Sequence, residues 1–540
     1  MKKIALLLIL VMTLTMVLTS CDVGAIMEII KESGVVVPGI NGEEDKDDSE
    51  DPTPEYPTPE DPTPDNPNPG NPDPYPTPDP KPDKPTPDPD PTPDKPDQKD
   101  TIDISAFSVD EEITIKFYHT MGQSLRAVLD EYIPKFNKLY PNIKIEHEQI
   151  GGYDDVFTQI RVETNVGRQP NMAYCYPDHV AVYNLAGTVV TLDQLISSTA
   201  YVKRADGSTE MVGLTEKQKA DFISAFLNEG SAYRDGYTYT MPMSKSTEVL
   251  YYNKTFFDAY NLKVPTTWEE MEAVCRQIKA IDPSCIPLGY DSESNWFINL
   301  CAQYGSDYTS ATGEHFLFDN QTNRDFVKML NGWYNDGLVI TQELLGAYTS
   351  SLFVEQDPTR PNSYMTIASS VGANFHRPYK IDGSYPFEVG VAPIPQVDPT
   401  NPKVIQQGPS LCIFRGRNIS DQQIVASWLF IKYLTTNVGF QTEFATTAGY
   451  IPVTKSAINS SAYSNYLKKA DGGDNVASLA AKVAVEQSDA YFASPAFVGS
   501  STARDQVGII LQKCLVLTTN IDEEIKKLFE DAIEELKQSI

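Results

Sequence analysis

Residues 113–148, ITIKFYHTMGQSLRAVLDEYIPKFNKLYPNIKIEHE, change hydrophobic period twice within one short stretch. Ile113, Ile115 and Phe117 alternate, which predicts a half-buried strand over 113–119. Leu125, Val128, Leu129, Tyr132, Ile133 and Phe136 then recur at helical spacing, and Pro141 stops the helix because it cannot continue the backbone ladder. IKIEHE (143–148) returns to a period of two, and NMAYCY (171–176) supplies a third strand. Strand, helix and strand in under forty residues make a parallel crossover unit, so the body of the chain is α/β.

Downstream the same alternation continues. SKSTEVLYYNK (244–254) sets Ser244, Lys245, Ser246 and Thr247 against an apolar, aromatic run. TWEEMEAVCRQIKAI (267–281) opens with Thr267 and Glu270 at capping-box spacing and carries Met271, Val274, Cys275, Ile278 and Ile281 as its buried stripe. YPFEVGVAPIP (385–395) reads as a strand ended by prolines, residues 421–447 as one helix followed by a second, and residues 521–540 as an amphipathic closing helix. The span from about 108 to 540 is too long for one compact core, so two lobes are expected.

Upstream, Lys2 and Lys3 precede an apolar stretch from Ile4 to Leu18, the pattern of a secretory signal and too short for a membrane span. Between residues 51 and 100 lie 20 of the chain's 40 prolines. Proline fixes φ and removes a donor, so this segment forms neither helix nor sheet interior. Residues 41–100 carry 19 acidic residues against 5 lysines, a net of −14 out of the chain's −31. Like charges extend an already stiff chain, which makes the segment a spacer. With the spacer set aside the body is only mildly acidic, and no nucleic-acid partner is implied. Six cysteines of the body (175, 275, 285, 301, 412 and 514) show no C-x-x-C pair and no His-Cys cluster, which argues against a zinc site and leaves disulfide pairing open.

Several stretches spread along the body, in order, carry a resemblance: FYHTMGQSLRAVLDEYIPKFNKLYPNIKI, GRQPNMAY, LYYNKTFFDAYNLKVPTTWEE, MTIASS, VGVAPIPQ and ASWLFIKYLTTNVGFQTEFATTAGYIPVTKSA. They resemble the extracellular solute-binding proteins of ABC importers, the maltose-binding-protein-like group. Within it FYHTM, LYYNK, MTIASS and AGYIPVT are most similar to the members that bind sn-glycerol 3-phosphate. Leu18-Thr19-Ser20-Cys21 likewise resembles the lipobox of bacterial lipoproteins, in which cleavage precedes a cysteine that then carries lipid. The resemblance implies a two-lobed periplasmic-binding-protein fold of type II, with a mixed sheet flanked by helices in each lobe and a ligand cleft between them. It implies a signal peptide over 1–20 and a lipidated N-terminus with spacer over 21–107. Residues 108–245 plus 388–420 would form the first lobe, and 246–387 plus 421–540 the second, with crossings near 242–250, 387–395 and 420.

Carried over position by position, the resemblance implies a ligand set of Tyr153, Asp178, Ser246, Trp296, Ser369, Gly408, Tyr450 and Arg504. The match departs at two places. The acidic position near the third strand falls on Pro177, with Asp178 adjacent, and a single Trp296 stands where an aromatic pair is expected. Lys245 replaces a serine. Chemically the set is coherent: Arg504 is a charged fork for phosphate, Ser246 and Ser369 are neutral donors, and Gly408 permits close backbone approach. Asp178 would accept from hydroxyls, and Tyr153, Tyr450 or Trp296 would give a flat wall for the carbon skeleton. Each position also has a plain reading: Ser369 as a helix cap, Trp296 as core, Tyr450 as packing, Arg504 as surface.

These expectations describe an extracytoplasmic, monomeric binding protein, held to the membrane through Cys21. It would take up sn-glycerol 3-phosphate or a related glycerophosphodiester and deliver it to the permease subunits of an ABC transporter. No cofactor, metal or catalytic residue is expected. An oligosaccharide ligand is the alternative, with a surface glycosidase or a stalked adhesin more remote. The chain holds no G-x-S-x-G elbow, no H-E-x-x-H motif and no Walker-type loop, and its carboxylate pairs Asp154-Asp155 and Glu269-Glu270 stand at helix starts.

Overall fold

The computed structural model describes residues 101–233, 235–472 and 475–539, all within one compact unit. The expected signal peptide, Cys21 and the spacer up to residue 100 lie outside the described residues. Residues 101–107, expected to end the spacer, instead fold onto the first lobe, with Ile102 buried in its core and Ile104 and Phe107 packed against it. Among those described, no helix is long and apolar enough to cross a membrane.

The first sheet grows from the crossover unit. β1 (Ile113–His119) pairs in parallel with β2 (Ile143–Gln149) along its full length, Ile113 opposite Ile143 and His119 opposite Gln149. On its other side β1 pairs in parallel with β3 (Met172–Cys175). Helix Gln123–Asn137 covers this sheet with Val128, Leu129, Tyr132 and Phe136 buried, while Leu125 and Ile133 at the stripe's edges are only partly covered. β13 (Ser410–Ile413) and β6 (Met241–Pro242) add antiparallel strands, giving the order β2-β1-β3-β13-β6. A small hairpin, β4 (Tyr201–Lys203) with β5 (Thr209–Met211), folds against the same core through Val202 and Val212.

The second sheet is organised on β7 (Ser246–Asn253), six of whose eight residues are buried. β10 (Met365–Ser369) runs antiparallel on one side of it. β11 (Val389–Ala392) and β12 (Val404–Gln407) share the other side, opposite its C-terminal and N-terminal halves. β8 (Leu288–Tyr290), β9 (Val339–Thr341) and β14 (Tyr491–Phe492) complete the sheet. Helix Trp268–Ile281 is capped as expected, the Glu270 amide donating to Thr267 Oγ1 at 3.1 Å. Its stripe ends at Ile278, because Ile281 is exposed.

Two expected lobe assignments are corrected. β11 and β12 hydrogen-bond to β7, so residues 388–407 belong with the second sheet. Helices Asp421–Thr436 and Val438–Ala448 bury Val425, Trp428, Phe430, Phe440 and Phe444 in the core of the first sheet, so the chain does not leave that lobe near 420. The crossings are 243–245, from β6 to β7, and 408–409, from β12 to β13. A third return passes through helix Ser461–Lys468, whose Tyr463 and Tyr466 pack with Ala445 and Ala481 of the helices on either side. All six described cysteines are buried and free.

Candidate ligand-binding cleft

A cavity of about 270 Å³ opens between the two sheets. From the first lobe it is lined by Asp154, Tyr176, Pro177, Asp178 and Glu229, and from the second by Tyr308, Gln406, Gln407, Ser501, Arg504 and Asp505, among others. The parallel crossover puts the first group there. Tyr176 follows directly on the C-terminal end of β3, and Pro177 starts helix Pro177–Tyr183 with Asp178 in its first turn. Tyr153 and Asp154 open helix Tyr153–Asn165 just past the end of β2. Crevices outside the C-terminal ends of parallel strands are where open α/β sheets take ligands.

Aromatic rings back this wall. Tyr153 and Tyr176 lie with centroids 4.4 Å apart and planes tilted by 33°. Burial pushes the Tyr153 hydroxyl well above its usual range, and neighbouring Tyr176 and Tyr450 add to the shift. Burial likewise pushes Tyr450 up to about 12, against a hydrogen bond with Tyr153 that pulls it down. Both phenols are therefore neutral donors at physiological pH.

Arg504 faces this wall from helix Ser500–Leu515. Its Nη2 donates to Asn295 Oδ1, which leaves the other donors of the fork for the cavity. Four carboxylates share the cavity lining with it: Asp154, Asp178, Glu229 and Asp505. Asp505 is raised from the ordinary aspartate range, chiefly by loss of solvent and next by the Asp154 carboxylate, while Arg504 opposes the shift.

The eight positions implied by the resemblance divide. Asp178 and Arg504 line the cavity, and Tyr153 and Tyr450 stand behind Tyr176. Ser246 and Gly408 lie at the crossings beneath it, Ser246 paired with the lining residue Gln407. Gly408 has φ of +101°, and a Cβ there would stand 2.6 Å from the Ser244 carbonyl and 3.0 Å from Lys245 Cα. What demands glycine at this position is the contact between two crossing segments. Ser369 ends β10 opposite Glu248, and its hydroxyl accepts from the Val371 amide at 3.4 Å, the cap read from sequence. Trp296 is corrected: it is fully buried in the second core, stacked on Tyr290 at 4.4 Å and 9°, and forms no part of the cavity wall.

Lys245 is also resolved. It is fully buried, ion-paired with Glu229, and it donates to the Gly408 carbonyl at 3.3 Å and Ser410 Oγ at 3.2 Å. Tyr176, Tyr308, Glu229, Gln406 and Asp505 were not singled out from sequence. The one signal available was their position, directly after β3 for Tyr176 and next to Arg504 for Asp505. Among the described residues no group of three or more His, Cys, Asp or Glu is placed to hold a metal ion.

The family described as bacterial extracellular solute-binding protein matches residues 131–470. The chain is 23% identical over 376 residues to the sn-glycerol-3-phosphate-binding periplasmic protein UgpB of Salmonella typhimurium, covering 67% of this chain and 79% of the relative. UgpB of Escherichia coli K12 matches with the same identity and coverage. Among solved structures, UgpB of Mycobacterium tuberculosis in complex with glycerophosphocholine is similar with a TM-score of 0.61 at 18% identity, covering 79% of this chain and 98% of that one. The cyclic alpha-maltosyl-1,6-maltose binding protein of Arthrobacter globiformis is similar with a TM-score of 0.60 at 18% identity, covering 79% and 99%. The sugar-binding protein MalE of Xanthomonas citri gives 0.62 at 17% identity, covering 79% and 98%. At these identities the solved structures establish the two-lobed fold.

Proposed function

The chain belongs to the bacterial extracellular solute-binding proteins, and on that premise we propose that it captures a glycerophosphodiester and hands it to an ABC permease. The observation that carries this reading is Arg504, one guanidinium facing a cavity whose lining also carries the carboxylates Asp154, Asp178 and Asp505, with Glu229 already paired to Lys245. One fork of donors suits one phosphate. A phosphodiester brings a single negative charge, whereas the doubly charged glycerol 3-phosphate would meet those carboxylates as well as the arginine. The carboxylates and the Tyr176 hydroxyl, backed by Tyr153 and Tyr450, supply partners for glycerol hydroxyls, and the second substituent of the diester would be favoured if it is neutral or cationic. Capture needs no bond chemistry, only closure of two lobes about their crossings.

An oligosaccharide is the second reading, favoured by the same carboxylates and rings, which bind sugar hydroxyls and faces. The cavity volume of about 270 Å³ weighs against it, since ligand pockets generally span roughly 300–1,000 Å³ and an oligosaccharide needs more room than a diester. Calorimetry of the purified protein with sn-glycero-3-phosphocholine, sn-glycerol 3-phosphate and maltose separates the readings. Tightest binding is expected for the diester, weaker for the monoester and none for maltose. Binding of maltose alone would remove the phosphate reading.

The reading also includes a lipid anchor at Cys21, supported by Leu18-Thr19-Ser20-Cys21 in front of an acidic spacer. Metabolic labelling with palmitate is expected to mark the wild-type protein and not Cys21→Ser. Equal labelling of both would dismiss the anchor.

A further inference from the structure

β7 carries one carboxylate, Glu248, at its third position, and it is 1% exposed. Its Oε1 accepts from Asn295 Nδ2 at 2.9 Å, and its Oε2 accepts from the Tyr290 hydroxyl at 2.7 Å and from Asn299 Nδ2 at 2.7 Å. All three donors are neutral. The Asn295 amide is used at both ends, because its Oδ1 accepts from Arg504. Glu248 therefore faces the guanidinium of the cleft through a single amide. Asn299 extends the same network: its Oδ1 accepts from the Ile405 amide at 2.8 Å, on the strand that lines the cavity through Gln406 and Gln407.

We propose that Glu248 is the positioning residue of Arg504, and that capture of an anion by Arg504 draws a proton onto Glu248. This rests on the reading of Arg504 as the group that meets the solute's phosphate.

The groups facing Glu248 from the elements around it are Tyr290 at the end of β8 and Asp291 just after it, Asn295 and Asn299 on helix Glu293–Tyr304, and Arg504 on helix Ser500–Leu515. Burial raises its carboxyl to about 7. The hydrogen bonds from Tyr290 and Asn295 and the charge on Arg504 pull it down, while Asp291 pushes it up. A phosphate bound to Arg504 cancels part of that positive charge. One of the effects that keep Glu248 ionised is then lost, and its proton affinity rises. Linkage is reciprocal, so the protonated protein binds the anion more tightly. Affinity for an anion accordingly increases as pH falls through about 7. A neutral solute leaves Arg504 charged and takes up no proton.

Two measurements test this. The first is calorimetry near pH 7 with sn-glycero-3-phosphocholine, whose diester does not itself titrate there, in two buffers of different ionisation enthalpy. Wild type is expected to take up a fraction of a proton per ligand, whereas E248Q, neutral at this position at every pH, is expected to take up none and to lose the gain in affinity as pH falls through about 7. Binding by wild type without uptake overturns the proposal. The second needs no ligand: infrared detection of a buried protonated carboxyl near pH 7. R504Q is expected to show a stronger band than wild type, and E248Q to lack it. An unchanged band in R504Q overturns the coupling whatever the solute is. If R504Q behaves as expected and the diester does not bind, the link between Arg504 and Glu248 stands and the solute assignment is what fails.

Discussion

Replacing Arg504 with glutamine is expected to weaken binding of sn-glycero-3-phosphocholine by about 30- to 1,000-fold, the equivalent of about 2–4 kcal/mol lost from a charge-assisted contact in a largely desolvated cleft. Glutamine is the informative choice because its amide can still donate to Asn295 Oδ1, so the buried network keeps a partner. The loss has two sources. The phosphate forfeits the hydrogen bonds of the fork, and it then faces Asp154, Asp178 and Asp505 without the guanidinium. Arg504 is only half-buried on its helix, so urea unfolding of the ligand-free variant should stay within about 1 kcal/mol of wild type. Calorimetry of both forms with the diester, alongside that unfolding measurement, decides the matter. A variant that unfolds normally and binds the diester as tightly as wild type removes Arg504 from the site. One that loses the diester and gains nothing for maltose supports the single-anion reading.

The elements that could be read from sequence are those whose signal is local. β1, helix Gln123–Asn137 and β2 follow from alternation and a helical stripe within one stretch, and the capping box at Thr267 follows from two residues three apart. Sheet membership is not local. β11 is an apolar strand ended by prolines whichever sheet it joins, and only its antiparallel register against Leu250–Asn253 assigns it to the second lobe. Helix Asp421–Thr436 is buried nearly all round, so its pattern could not say which core it enters. Trp296 shows the same limit at the scale of one residue. Successive helical positions differ by about 100° around the axis, so Asn295 reaches Arg504 while its neighbour Trp296 turns into the core. Glu248 did carry a signal, as a lone carboxylate in an apolar strand. Its meaning depended on Asn295, Asn299 and Tyr290, more than forty residues away along the chain.

Lys245 and Glu229 give the largest expected effect on stability. Both are buried, and their ion pair is completed by neutral partners: Ser410 Oγ donates to Glu229 Oε2 at 3.0 Å, and Gln406 Nε2 donates to Glu229 Oε1 at 2.9 Å. Backbone contacts add to this, since Lys245 and Ile451 exchange hydrogen bonds at 3.2 and 2.7 Å. One side chain thus ties the 243–245 crossing to the 408–409 crossing, and its backbone ties both to the Gly449–Ile451 turn. Lys245→Met leaves the Glu229 carboxylate buried among two neutral donors, and Glu229→Leu strands the ammonium. Each single change is expected to cost about 3–5 kcal/mol, the usual penalty for breaking a buried pair from one side. Removing both charges is a different matter, because apolar residues of similar volume need no solvent to be surrendered. Urea unfolding of the Lys245→Met and Glu229→Leu double variant should therefore show a loss well below the sum of the two singles. Additive losses would mean that the two charges are stabilised separately. A Lys245→Met variant within about 1 kcal/mol of wild type would mean that solvent reaches Glu229, and the crossings would then be held by their backbone hydrogen bonds alone.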